Sequence, residues 1–151
     1  MEKNIVKSEI LMKKAGGEFS KKLSGGEVVC LFGELGSGKT TFAQGMARGF
    51  GVRGRLNSPT FNILKVYYLK KGANGKIRRL YHIDCYRLSR ARELRDLGFE
   101  EWLGDKQGVV VVEWADKLEE ILPKQRIEIR FRVVNERTRE IRINFKDETK
   151  K

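Results

Sequence analysis

The sequence predicts a mixed α/β fold, a three-layer sandwich in which helices cover a central mixed β-sheet that antiparallel hairpins extend. Three observations predict it. An apolar run at 27–32 passes through a glycine-rich turn into a helical stretch, and a second wholly apolar run at 108–112 ends in Glu113. Two pairs of β-rich runs, 61–69 with 76–83 and 126–134 with 139–145, are each joined by a turn signal. Strands apolar on both faces belong at the buried centre of a sheet, whereas alternating strands keep one face wet.

The turn after the first strand is Gly33-Glu34-Leu35-Gly36-Ser37-Gly38-Lys39-Thr40, followed by Thr41, and it fits the P-loop pattern G-x-x-x-x-G-K-[ST]. Glycines let the backbone turn its N–H groups around phosphate oxygens, and the helix that follows presents its positive end to an anion. Lys39 is placed for the β and γ phosphates, and the Thr40 hydroxyl for Mg²⁺. A glycine-rich turn with an accidental Lys-Thr has a chance of roughly one percent or less in a chain of this length. The motif therefore predicts a P-loop NTPase-like fold and nucleotide binding.

The remaining elements follow in order. A short edge strand is expected at 4–7, then a helix over 9–23 capped by Ser8, with Leu11, Ala15, Phe19 and Leu23 as its apolar stripe. Gly16 and Gly17 weaken that helix, at ~1 kcal/mol each relative to Ala. The helix after the phosphate loop runs to about Arg48. Ser58, Pro59, Thr60 and Phe61 stand where many P-loop proteins keep a γ-phosphate switch, although a plain turn with a capping Thr fits equally well. Asn74-Gly75 signals the first hairpin's turn. The polar cluster His82-Ile83-Asp84-Cys85-Tyr86-Arg87-Leu88 follows at a strand terminus, where α/β proteins place site residues. Ser89 caps a helix over 90–97 that Gly98 breaks, and 100–103 add a helical turn. Glu113 ends its strand in the Walker B manner, as a carboxylate that holds Mg²⁺ directly or through water. A short helix at 116–122 and the closing hairpin complete the domain, and 146–151 form a frayed tail.

Composition narrows the class. The 151 residues, 40% of them hydrophobic and 34% charged, suit one domain with a real core. No apolar run approaches the ~20 residues a membrane span requires, and residues 1–4 lead into no signal-peptide core, so the expected location is the cytoplasm. Cys30 and Cys85 read as buried thiols, and one histidine, His82, cannot build a zinc site. A net charge of +12, concentrated at 65–76, 78–95 and 124–142, predicts attraction to a polyanion or to an acidic protein. A simply solvated basic surface fits the charge as well.

Four segments in this order, Gly33 to Thr41, Ser58-Pro59-Thr60-Phe61, His82 to Leu88 and Val111-Val112-Glu113-Trp114, resemble the bacterial TsaE family, formerly YjeE. The resemblance spans nearly the whole chain. It implies an ATP- and Mg²⁺-dependent ATPase component of the machinery that makes threonylcarbamoyladenosine beside the tRNA anticodon. It also implies binding to the heterodimer of TsaD and TsaB, with slow hydrolysis resetting that complex. Ser58 to Phe61 become a switch-like segment, and Asp84, Glu113 and Trp114 join the nucleotide site. Glu34 and Ser37 stand where the family commonly has Asp and Ala.

The chemistry expected is Mg²⁺ held by Thr40 and Glu113, charge neutralised by Lys39, and water oriented by Asp84; the two carboxylates' roles are exchangeable. Trp114 stacks near the nucleotide, meets a partner, or packs the core. No residue is an obvious cis arginine finger, although Arg87 could serve as one, so a low intrinsic rate that a partner raises is expected. The rival enzyme is a small-metabolite or nucleoside kinase, disfavoured by the lack of an Arg-rich lid. A GTPase lacks its N-K-x-D motif here, and a non-catalytic RNA-binding module rests on charge alone.

Overall fold

The computed structural model describes residues 1–53, 63–70 and 75–147. Its elements are β1 (Glu2–Val6), α1 (Glu9–Ser20), β2 (Val28–Phe32), α2 (Lys39–Gly49), β3 (Leu64–Tyr68) and β4 (Arg79–Asp84), then α3 (Ala91–Leu97), α4 (Phe99–Leu103), β5 (Gly108–Glu113), a 3-10 turn (Ala115–Leu118), β6 (Gln125–Val133) and β7 (Arg139–Asp147). The strands form one seven-stranded sheet in the order β1-β7-β6-β2-β5-β4-β3. β2 runs parallel to β5 and β6, and β4 parallel to β5. The β3–β4 and β6–β7 pairs are antiparallel, as the hairpin signals predicted, and β1 closes the edge against β7.

Every residue of β2 and β5 is buried, which is why those runs read as apolar on both faces. On one face Val29, Leu31 and Ile129 pack with Phe42 and Met46 of α2 and Phe19 of α1. On the other, Cys30, Ile83 and Val112 pack with Leu94, Phe99 and Leu118 from the α3, α4 and 3-10 segments. The third layer covers β2, β5 and β4 and, through Leu64 and Val66, part of β3. No residue of β6, β7 or β1 joins the second cluster. There the sheet carries a ladder of ion pairs instead: Glu128 with Arg126, Arg130 and Lys146, and Glu140 with Arg132, Arg142 and Lys3.

Several boundaries differ from expectation. α1 ends at Ser20 rather than Leu23, with Ser8 capping it through a bond from the Leu11 amide. Met12 and Gly16 face inward with Phe19, while Leu11 is exposed. Gly16 is no weakness: a Cβ there would collide with the Phe42 carbonyl, and one on Gly45 with the Lys13 carbonyl, so the glycines let α1 and α2 cross backbone to backbone. α3 begins after Arg90, not Ser89, and has no side-chain cap; Gly98, at φ +112, ends it as predicted. The segment expected as a helix at 116–122 is regular only over the 3-10 turn. Among the described residues no helix is long and apolar enough to cross a membrane.

Candidate functional site

β2, β4 and β5 point their carboxyl ends at the start of α2, and the predicted residues meet there. Gly33, Gly36 and Gly38 have φ of +156, +78 and +106, and Gly38 caps α2. A Cβ on Gly33 would lie 2.6 Å from the Ser37 hydroxyl and 2.8 Å from the Phe131 carbonyl, so only glycine fits. The loop is braced from within. The Lys39 ammonium donates to the carbonyls of Gly33 (2.5 Å) and Glu34 (2.8 Å) and to the Ser37 hydroxyl (3.3 Å), and the Ser37 amide donates to Glu34 (3.1 Å). Leu35 is exposed at the rim, and Thr41 lies in the first turn of α2. Burial lowers the Lys39 pKa, an effect opposed by the charges of Glu113 and Asp84.

Glu113 lies opposite Asp84 in the parallel register of β4 and β5, on the face that α2 covers. Its Oε1 accepts from the Thr40 hydroxyl at 2.6 Å, and its Oε2 lies 2.6 Å from His82 Nε2. Burial alone would raise the Glu113 pKa; His82, Thr40 and Lys39 outweigh it and hold the carboxyl below its ordinary value. A threonine hydroxyl that donates to a carboxylate keeps its lone pairs for a cation, so Thr40 and Glu113 suit a hard divalent ion such as Mg²⁺. The glycine cradle, Lys39 and this pair together fit a magnesium-bound phosphate chain.

Asp84 accepts from the Tyr86 amide at 3.0 Å and stands beside Glu113, so both carboxylates are in place. Trp114 takes φ +58, the one positive φ outside glycine among the described residues. Its ring lies 4.0 Å from the Lys39 ammonium and 5.0 Å from the Tyr86 ring, and it packs against the second core cluster. Arg87 is exposed on the turn after β4. Ser58, Pro59, Thr60 and Phe61 lie outside the described residues. Cys30 and Cys85 are buried free thiols, pushed up to about 12 by burial. His82, 1% exposed, belongs to the polar cluster read from sequence, but that reading gives it no role beside Glu113. The signal was its spacing: two positions before Asp84 on a strand puts both side chains on one face.

Comparison with known proteins decides the family. Residues 6–141 match the family described as threonylcarbamoyl adenosine biosynthesis protein TsaE. The chain belongs to the TsaE family. Among TsaE proteins it is 44% identical to that of Bacillus subtilis over 77% of this chain and 68% of the relative. It is 40% identical to that of Streptomyces coelicolor, over 87% and 86% respectively. The crystal structure of YdiB from Bacillus subtilis superposes with a TM-score of 0.77 at 32% identity, covering 98% of this chain and 87% of that one. The TsaE match contains Gly33 to Thr41, His82, Asp84, Glu113 and Trp114, and these proteins are named for the biosynthesis of threonylcarbamoyladenosine in tRNA. The resemblance read from four short segments is thereby shown as family membership.

Proposed function

We propose that the chain is the Mg²⁺-dependent ATPase subunit of the tRNA threonylcarbamoyladenosine machinery, acting in the cytoplasm on the TsaB–TsaD heterodimer. The observation that carries this reading is the 2.6 Å bond between the Thr40 hydroxyl and Glu113 at the mouth of the phosphate loop. Magnesium, when bound, neutralises phosphate charge and fixes the reacting oxygens. Thr40 and Glu113 hold it, Glu113 directly or through water, while His82 keeps the Glu113 carboxylate in one orientation. Lys39 withdraws charge from the β and γ phosphates, and the loop amides replace their water. Asp84 orients the attacking water.

The free subunit is expected to hydrolyse ATP slowly, since the sequence holds no obvious cis arginine finger beyond the candidate Arg87; such a group is worth ~10³–10⁵ in rate. A partner completes the site. The bare face of β6, β7 and β1 supports a tRNA contact as a second role, since six cations there share two carboxylates.

The test combines the chain with TsaB, TsaD and tRNA and follows phosphate release and multiple-turnover modification together. The expected outcome is hydrolysis stimulated by the partners, with phosphate released to water. A phosphorylated small-molecule acceptor would mean a kinase instead. Absence of magnesium-dependent nucleotide binding, alone or with partners, would end the proposal.

A further inference from the structure

We propose that Arg139 is a positioning residue for the phosphate loop: its guanidinium ties the loop's apex to the turn of the last hairpin and holds the loop receptive before nucleotide arrives. Strand register brings the two together. β6 lies parallel to β2 with Arg130 opposite Phe32, so Phe131 to Val133 run on beside the loop. The fit is close enough that the Phe131 carbonyl would meet any Cβ on Gly33.

Beyond β6 the chain makes a turn that is itself locked. The Val134 amide donates to the Thr138 carbonyl at 3.0 Å, and Asn135 Oδ1 accepts from the amides of Arg137 (3.1 Å) and Thr138 (3.0 Å). Arg139 follows at once. Its Nη1 donates to the carbonyls of Asn135 (2.8 Å), Thr138 (3.2 Å) and Glu136 (3.3 Å), and its Nε donates to the Gly36 carbonyl at 3.1 Å. One planar fork thus bridges two loops 103 residues apart in sequence.

The apex needs such a tie. Lys39 braces the loop on either side of Gly36, at the Gly33 and Glu34 carbonyls and the Ser37 hydroxyl, but makes no described bond to the Gly36 carbonyl. A Cβ on Gly36 would meet nothing within 4 Å, so packing does not hold that residue, and at φ +78 it is free to move as only glycine is. Because the peptide is planar, fixing the Gly36 carbonyl adds a second hold on the Ser37 N–H, which already donates to the Glu34 carbonyl at 3.1 Å. A charged donor does this more firmly than a neutral one, and a lysine ammonium lacks the second arm.

The inference shares the nucleotide site with the proposed function, so its test has one arm that needs no nucleotide. Amide hydrogen exchange of the nucleotide-free chain is compared among wild type, Arg139→Ala and Arg139→Lys, alongside calorimetric binding of MgADP. Both variants are expected to raise exchange at residues 34–38 by ~10-fold and to weaken MgADP by a similar factor, the scale of one charge-assisted hydrogen bond. Exchange in β6, β7 and α2 stays at the wild-type level. Wild-type loop protection in Arg139→Ala would overturn the proposal. So would full restoration by Arg139→Lys, which would make the effect one of charge, or exchange rising throughout the hairpin, which would make Arg139 a strut of the hairpin alone. A wild-type chain that takes no MgADP would sink the nucleotide reading while the exchange arm still decided this one.

Discussion

The two ends of the β4–β5 pair use the same chemistry to opposite purposes. At the amino end, Asp105 accepts from Arg79 Nε (2.5 Å) and Nη2 (2.9 Å), from the Tyr81 hydroxyl (2.7 Å) and from the Gln107 amide (3.0 Å). Four donors use up the lone pairs of one carboxylate, and nothing more can be bound. At the carboxyl end, Glu113 is more deeply buried, yet among the described residues its oxygens meet only the Thr40 hydroxyl and His82, at the mouth of the glycine-rich loop. His82 Nδ1 there has no partner among the described residues. A closed polar cluster stabilises; an open one, desolvated and still short of partners, is a site.

The comparison breaks most sharply at the open end. Glu113→Gln keeps the size and the His82 side of the group but removes the charge that suits a metal. It should cut hydrolysis by ~10³-fold, a few kcal/mol of lost electrostatic stabilisation, with a melting temperature near wild type. Asp84→Asn should reduce hydrolysis while sparing magnesium-linked binding. Nucleotide titrations with and without Mg²⁺ separate the two, and metal-linked binding that survives in Glu113→Gln would transfer the metal to Asp84.

The closed end should answer in stability alone. Asp105→Asn leaves the Arg79 fork half-matched and should cost about 1–3 kcal/mol, read by denaturant unfolding, with nucleotide affinity per folded molecule unchanged. Its pH dependence has a definite sign. The Arg79 fork beside Asp105 outweighs burial and holds the carboxyl far below its ordinary value of 3.8. A depressed carboxylate stabilises the fold above its unfolded pKa and loses that contribution as pH falls toward the folded one. Wild type should therefore lose stability below about pH 4, and Asp105→Asn should flatten that limb. An equal acid response in both proteins would remove Asp105 from the account.

How much of this was legible follows from range. The phosphate loop, Thr40, Glu113 and the paired hairpins were readable because a local motif or a two-residue alternation specifies them. α1 shows where local reading fails. Leu11, Ala15, Phe19 and Leu23 recur every four residues, but a helix turns every ~3.6, so such a stripe winds off its face; the structure buries Met12 and Gly16 and exposes Leu11. The value of Gly16 and Gly45 lies in a crossing between helices, which no single-helix propensity contains. Arg139 is likewise invisible from sequence, since its partner Gly36 is brought near only by the β2–β6 register. The wet face of the last hairpin was predicted, but not that Glu128 and Glu140 would sit almost fully buried beneath arginines.

His82 sharpens the comparison at the next scale. With Glu113 ionised, His82 Nε2–H donates to its carboxylate, and in the bonds described it touches neither Thr40 nor the loop, so the role to test is aiming that carboxylate. His82→Leu should weaken MgADP by ~10-fold while leaving metal-free binding alone, and His82→Gln, which keeps a donor, should recover part of it. Equal losses with and without Mg²⁺ would make His82 a packing residue.

Trp114 should have the smallest effect and the most telling pattern. Holding a bulky residue at φ +58 costs of order 1–3 kcal/mol, which the fold sustains while placing the ring 4.0 Å from the Lys39 ammonium. A ring face attracts a cation by its quadrupole, worth about 0.5–2 kcal/mol, and any aromatic supplies much of that. Trp114→Phe should therefore shift nucleotide affinity by no more than ~3-fold, whereas Trp114→Leu, of comparable apolar character but without a π face, should shift it further at equal stability. If Phe and Leu behave alike, the ring serves only the second core cluster, and the open end of the sheet is defined by Lys39, Thr40 and the carboxylates without it.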